Sequence, residues 1–419
     1  MDCSGNKIVH TIVVDQQGKG DFTTVQAAID SIQENNYQWV KIHVNPGKYI
    51  EKVIISEDKA CIFLEGQGRE VTTVTSSGHH RVAATPTVAS SKYKINDHLG
   101  ATFVCVPSNV IVIGITFQNS YNLVGSETIE PAPAAAIYGD KSVFIKCGFQ
   151  SYQDTLFDAQ GRHYFKDCYV EGEVDFIYGN GQSYYENCII NATLGKSPPG
   201  FVTAQSRGSG KEESGFVFRG GCVIGNGEVK LGRAYGAYSR VIFYGTYLSS
   251  VVSPQGWDAW GYTGQESRFT YGEVECSGEG ANASGRVKWE KKLTNSQLEE
   301  FSLSSFINQD GWLSYLPTLQ KERKKIRRRK KTCYLSYLMK LLDTSTNVFN
   351  VYLDCHYDVY NDHVVDSIID HVIDTPSITT TIEVLTILAQ YVVSNLPKLS
   401  DQNEPISLKM SFCGEVKRN

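Results

Sequence analysis

Residues 147–181, CGFQSYQDTLFDAQGRHYFKDCYVEGEVDFIYGNG, decide how the chain is read. Two patterns of similar shape meet there: SVFIKCGFQSYQD, which begins at Ser142, and HYFKDCYVEGEVD from His163. Each runs from alternating bulky residues through a cysteine to an aspartate. Asp154 and Asp175 stand 21 residues apart, as do Cys147 and Cys168, and SYYENCII from Ser183 places Cys188 another 20 residues on. Self-similarity at this period marks a solenoid in which each repeat is one coil stacked on the last. The repeats are rich in Phe, Tyr, Val and Ile with period-two alternation, so the expected fold is all-β, a parallel β-helix. Stacked strands lie ~4.8 Å apart, and the shared register therefore predicts Asp175 directly beside Asp154 on one face. Two such carboxylates titrate as a coupled pair, one tending to keep its proton.

The bulk properties restrict the alternatives. A chain of 419 residues holds one large domain with an appendage, or two domains. A net charge of −5 and ordinary apolar content indicate neither a nucleic-acid partner nor a membrane surface. No apolar run reaches the ~18 residues of a membrane span. The opening MDCSGNKIVHTIVV lacks the charged and apolar regions of a signal peptide. Eleven cysteines cannot all pair within the chain. Two glycosylation triplets, at Asn191 and Asn282, tilt the reading towards secretion.

Outward from the central stretch, Phe22, Val25, Ile29 and Ile32 recur at helical spacing, a short N-terminal helix suited to capping a solenoid. VKIHVNPGKYIEKVII (40–55) and CIFLEGQG (61–68) read as strands and turns, and residues 76–98 as a long polar loop. Coils resume at Ala101 and continue to about Tyr262, and LTNSQLEEF (293–301) looks helical. The β-helix domain is expected to span residues 1–317. The run KERKKIRRRKK then makes 318–331 a basic linker, and 332–419 a C-terminal extension of unknown role with two candidate amphipathic helices. Its His356, His363, His371, Cys333 and Cys355 have no zinc-site spacing.

Chemistry needs one carboxylate held as an anion and the other able to give a proton. Arg233, in LGRAYG, can grip a carboxylate in a bidentate way. Gln153 offers an amide N–H to a developing oxyanion, and Gln205 of VTAQ is another polar candidate on that face. Tyr235, Phe157, Phe176, Tyr178 and Trp257 are candidate walls for stacking sugar rings. A purely architectural reading also exists, because aspartate ladders form solvated turns and buried Arg–Asp pairs occur without function. For the cysteines, spacing leaves three readings: small core residues, a Cys147–Cys168 bridge or a Cys168–Cys188 bridge.

GFQSYQDTLF, YVEGEVDFIYGNG, VTAQ and LGRAYG, in this order, resemble the signature segments of the pectin methylesterases, as do GKYIEKV, GITFQNS and FINQDGWL. The resemblance covers about residues 8–317. It implies a right-handed parallel β-helix that hydrolyses methyl esters of galacturonate units in pectin, without metal or organic cofactor. Carried over residue by residue, it makes Asp175 the nucleophile, Asp154 the general acid and then base, Gln153 the oxyanion donor and Arg233 the residue that orients the nucleophile. It also implies a Cys168–Cys188 disulfide, secretion to the cell wall, and a proteinaceous inhibitor as a candidate partner beside pectin. Two positions depart from the pattern: Pro131 stands where a glutamine donor is expected, and Tyr235 where a tryptophan is. The rival reading is a β-helix that binds pectin without turning it over.

Overall fold

In the computed structural model, residues 3–79, 100–123, 129–193 and 199–317 are described. Among them the strands form three sheets, with every strand pairing parallel. The chain visits the sheets in rotation. One coil runs Ser142–Ile145 in the first sheet, Gly148–Gln150 in the second and Leu156–Asp158 in the third, before returning to Arg162–Lys166. This is the parallel β-helix that the repeat predicts.

Alternation puts one side of each strand into a column of identical environments. Phe144, Phe165, Tyr185, Phe218 and Phe243 are register partners in successive coils. Their rings stack at centroid separations of 5.1, 4.5, 4.6 and 4.4 Å. Each ring is nearly or fully buried, so the column contributes both apolar burial and offset ring contacts.

The helix Val25–Asp30 closes the first coil with Val25, Ala28 and Ile29 buried, a shorter segment than the spacing of Phe22 to Ile32 suggests. Glu51 accepts from the free Val25 and Gln26 N–H groups through its two carboxylate oxygens, at 2.8 and 2.9 Å. At the other end, Asn295–Glu300 forms the expected helix, with a Thr294–Gln297 capping box. Phe301, Phe306, Ile307, Trp312, Leu313 and Leu316 then cover the outward face of the first sheet over Phe63, Ile111, Val143, Tyr164 and Tyr184. The expected loop at 76–98 falls almost wholly outside the described residues, and the linker 318–331 and extension 332–419 lie outside them entirely.

The cysteine ladder sits at the sharp turn between the first and second sheets. Lys146, Asp167, Asn187 and Glu275 adopt left-handed φ of 53°, 54°, 53° and 51°, and each is followed by a cysteine. Cys147, Cys168, Cys188 and Cys276 point inward, their thiols 3.4, 3.3, 3.7 and 3.4 Å from carbonyls of Val112, Phe144, Phe165 and Phe243. All four are free thiols, which corrects the expected Cys168–Cys188 disulfide. Repetition of a small inward residue at a tight corner accounts for their 20–21-residue spacing better than pairing does. The disulfide observed is Cys3–Cys61, which ties the chain start to the first sheet across 58 residues.

Closing a loop of that length removes about 4 kcal/mol of unfolded-chain entropy. Cys61→Ala is therefore expected to lose a large part of that stability. Paired Cys168→Ala and Cys188→Ala substitutions should lose only what deleting two small buried side chains costs, on the order of 1–2 kcal/mol. Urea unfolding with and without reductant checks both: a Cys168–Cys188 bridge in the folded protein would reverse the ranking.

Candidate active site

The turn from the second sheet to the third carries the two aspartates. Leu156 pairs with Ile177, so the residues two places before them, Asp154 and Asp175, occupy equivalent positions in consecutive coils. Gln153 bridges to Val174, and the Asp154 N–H donates to the Val174 carbonyl at 3.0 Å, which locks the two turns together. Both aspartates have left-handed backbone, with φ of 61° and 49°. Aspartate tolerates that region better than bulky residues, because its short polar side chain is compatible with it.

Arg233 arrives from two coils further on. Along the outward row of the third sheet the register runs Ala136, Phe157, Tyr178, Ala204, Arg233, Asp258. Ala204 leaves space between Tyr178 and Arg233, and the guanidinium turns into it. Arg233 Nε donates to Asp175 Oδ1 at 2.8 Å and Nη2 to Oδ2, a bidentate pair with Asp175 buried. Two rings flank the guanidinium, Phe201 at 4.5 Å and Trp260 at 4.3 Å.

The electrostatics separate the two acids. Burial, reinforced by the charge of Asp175, pushes the Asp154 carboxyl up to about 8, with Arg233 opposing more weakly. Burial raises Asp175 as well, opposed by the Arg233 hydrogen bonds and charge, so its carboxyl stays above the ordinary aspartate range. The bidentate guanidinium favours the anion on Asp175 and Asp154 has no such partner, so a proton held by the pair rests on Asp154. The side-chain amide of Gln153 is part-exposed beside them and makes no hydrogen bond among the described residues.

The other expected wall residues divide between the outward face and the core. Phe157 and Tyr178 face outward and stack at 4.7 Å. Tyr235, 52% exposed, stacks on Trp260 at 5.4 Å. Trp257, Phe176 and Gln205 do not face outward beside the aspartates. Trp257 and Phe176 are buried in the core, and the Gln205 side-chain oxygen Oε1 accepts from the backbone N–H groups of Arg207 and Arg240 at 3.0 and 2.9 Å. The sequence reading missed Trp260. It lies on the 3-10 turn after the short strand Trp257–Asp258, and no periodicity in PQGWDAWGY signals that it, rather than Trp257, is the exposed tryptophan. Among the described residues no three His, Cys, Asp or Glu side chains group as metal ligands.

A pectinesterase family model matches residues 11–310. Probable pectinesterase 29 of Arabidopsis thaliana is 43% identical over 73% of this chain and 89% of its own length. Probable pectinesterase 55 of the same plant is 44% identical over 73% and 91%. Among solved structures, pectin methylesterase from carrot aligns with a TM-score of 0.66 at 29% identity, covering 74% of this chain and 97% of that one. An Aspergillus niger pectin methylesterase shares the fold, with a TM-score of 0.60 at 23% identity.

The raised Asp154 has a consequence for stability that can be measured. Its pKa lies near 8 folded against 3.8 unfolded, so its protonation favours the folded state fully below pH 4 and that contribution is lost as pH rises towards 8. Asp154→Asn has no such loss. It is expected to unfold at a higher temperature than the parent at pH 7, by on the order of 1–2 kcal/mol, with the gap closing as pH falls to 4. Thermal unfolding across pH 4–8.5 checks this, and a constant difference with pH would contradict the burial of that carboxyl.

Proposed function

The chain belongs to the pectinesterase family, carboxylic ester hydrolases that act on pectin, and from that premise we propose that Asp175 and Asp154 carry its chemistry. The observation that carries the proposal is the bidentate Arg233 grip on one aspartate and not on its coil neighbour. Asp175, ionised, attacks the carbonyl carbon of the methyl-esterified galacturonate. The carbonyl oxygen becomes an oxyanion within reach of the Gln153 amide. Collapse of the tetrahedral species expels the methoxy group, which takes the Asp154 proton and leaves as methanol. The acyl-enzyme formed on Asp175 is then cleaved by water, whose proton returns to Asp154. Products are methanol and a galacturonic acid that ionises to its carboxylate by releasing one proton to solvent, and both aspartates regain their starting states.

Phe157, Tyr178 and the exposed Tyr235–Trp260 stack supply faces for sugar rings along the groove. Action in the cell wall follows from the substrate. A proteinaceous inhibitor, if one binds, has that exposed aromatic pair as its natural contact at the groove.

Asp175→Asn is expected to abolish methanol release from esterified homogalacturonan, because an amide cannot form the acyl intermediate. Asp154→Asn should lower turnover by ~10²–10⁴-fold. Circular dichroism confirms folding, and near-normal methanol release from a folded Asp175→Asn protein would overturn the assignment. In the parent, kcat/KM should decline as pH rises through about 8, where Asp154 loses the proton it donates.

Pro131 supplies no side-chain donor, so the oxyanion rests on Gln153. One lost donor typically costs ~10²–10³ in rate. Pro131→Gln is therefore expected to raise kcat with little effect on KM, the new bond forming chiefly in the transition state. An unchanged kcat in a normally folded variant would show that the missing donor does not limit the reaction.

A further inference from the structure

Arg233 has two carboxylates within its reach. One is Asp175. The other is Asp258, its register partner in the next coil of the third sheet. The positive charge of Arg233 acts on both side chains. A guanidinium placed between two anions divides its hydrogen bonds unless one anion is satisfied elsewhere, and here one is. Lys230, in the same strand as Arg233, donates from Nζ to Asp258 Oδ2 at 2.6 Å, with its side chain 17% exposed over the Phe201 ring. The second oxygen, Asp258 Oδ1, accepts from the Trp260 N–H at 2.8 Å. Both Asp258 oxygens are thereby engaged away from Arg233.

The Trp260 bond has its own significance. Trp260 sits at φ 46°, a left-handed conformation that a bulky aromatic residue rarely adopts unless its surroundings impose it. The Asp258 carboxylate is what receives its N–H, and in that conformation the indole lies on the Arg233 guanidinium and on Tyr235. Lys230, Asp258, Trp260 and Arg233 therefore form a closed circuit that ends on Asp175.

We propose that Lys230 is a positioning residue: it neutralises Asp258 so that Arg233 stays on Asp175, and through Asp258 it holds Trp260 over the guanidinium. The inference rests on the assignment of Asp175 and Arg233 above. Among the described residues, the charged or titratable groups facing this circuit are Asp154 and Tyr178 beside Asp175, Tyr271 acting on both Asp175 and Asp258, and Tyr235 stacked on Trp260. None of these is a cation that could replace Lys230.

The test uses the full chain, with kcat and KM for methyl-esterified homogalacturonan measured across pH 4–9. Lys230→Met leaves Asp258 charged and unpaired, and that carboxylate draws Arg233 towards it. Asp175 then loses part of what holds it ionised. The acidic limb of kcat/KM is expected to move up by about one pH unit, with kcat/KM at pH 5 falling about tenfold. KM should change less than kcat, since the Asp258–Trp260 bond survives. Adding Asp258→Asn to Lys230→Met removes the rival charge while keeping an oxygen for the Trp260 N–H, so it should restore the acidic limb. Lys230→Arg keeps the pair and should resemble the parent. Should Lys230→Met fail to fold, Lys230→Gln carries the same expectation. The proposal is overturned if the lysine variants keep the parental limb, or if the second substitution fails to restore it. Turnover by Asp175→Asn would instead overturn the site assignment beneath it, whatever these variants do.

Discussion

Successive coils exchange backbone hydrogen bonds along three parallel sheets, and a slip of one residue between them would turn every inward side chain outward. The ring column of Phe144, Phe165, Tyr185, Phe218 and Phe243 makes that slip costly, because it would carry several buried aromatics into water together. The same register that stacks the rings stacks Asp154 on Asp175. The stability of the core is thus also what brings two carboxylates together against their mutual repulsion. A surface pair on flexible loops would separate or take up counter-ions, whereas this one is held by the backbone bridge between Gln153 and Val174.

Held together, the two acids need unequal surroundings to do different work. The asymmetry is supplied by one residue two coils away. Arg233 reaches back over Ala204, the smallest side chain in its outward row between Tyr178 and Asp258, and fastens both of its hydrogen bonds on Asp175. Asp154 accepts no hydrogen bond from any described side chain, so burial decides its charge, and it keeps its proton to about pH 8. In the proposed assignment, acid and nucleophile follow from which of two similar side chains the guanidinium grips.

Much of this was legible in the sequence because a solenoid converts spacing into position. The 21-residue interval gave the aspartate stack, and the LGR segment gave its partner. What was not legible depended on the direction of a side chain within a turn or a short strand. Trp257 and Trp260 are equally plausible stacking residues in PQGWDAWGY until the fold buries the first in a short strand and exposes the second on the turn after it. Phe176 and Gln205 failed for the same reason. The cysteines misled differently: equal spacing satisfies both a bridge between coils and a repeated small residue at a corner. Only the thiols' orientation towards strand carbonyls separates these. Cys3 and Cys61 carry no repeat signal, and their pairing depends on the path of the chain start across the first sheet.

Three residues of the active face share a backbone conformation that most side chains avoid. Asp154, Asp175 and Trp260 all have positive φ, at 61°, 49° and 46°. For the aspartates the conformation is cheap, and it has a geometric effect: a left-handed residue at the end of a turn projects its side chain across the next strand rather than along its own. A glutamate there would carry one more rotatable bond and hold its carboxylate less firmly against Arg233. Trp260 has no intrinsic reason to be left-handed. Its conformation has to be imposed, and the Asp258 carboxylate on its N–H is the contact placed to do so. Strain of this kind persists only where the surroundings over-determine it. In this protein they do so beside the one arginine that distinguishes two otherwise similar acids.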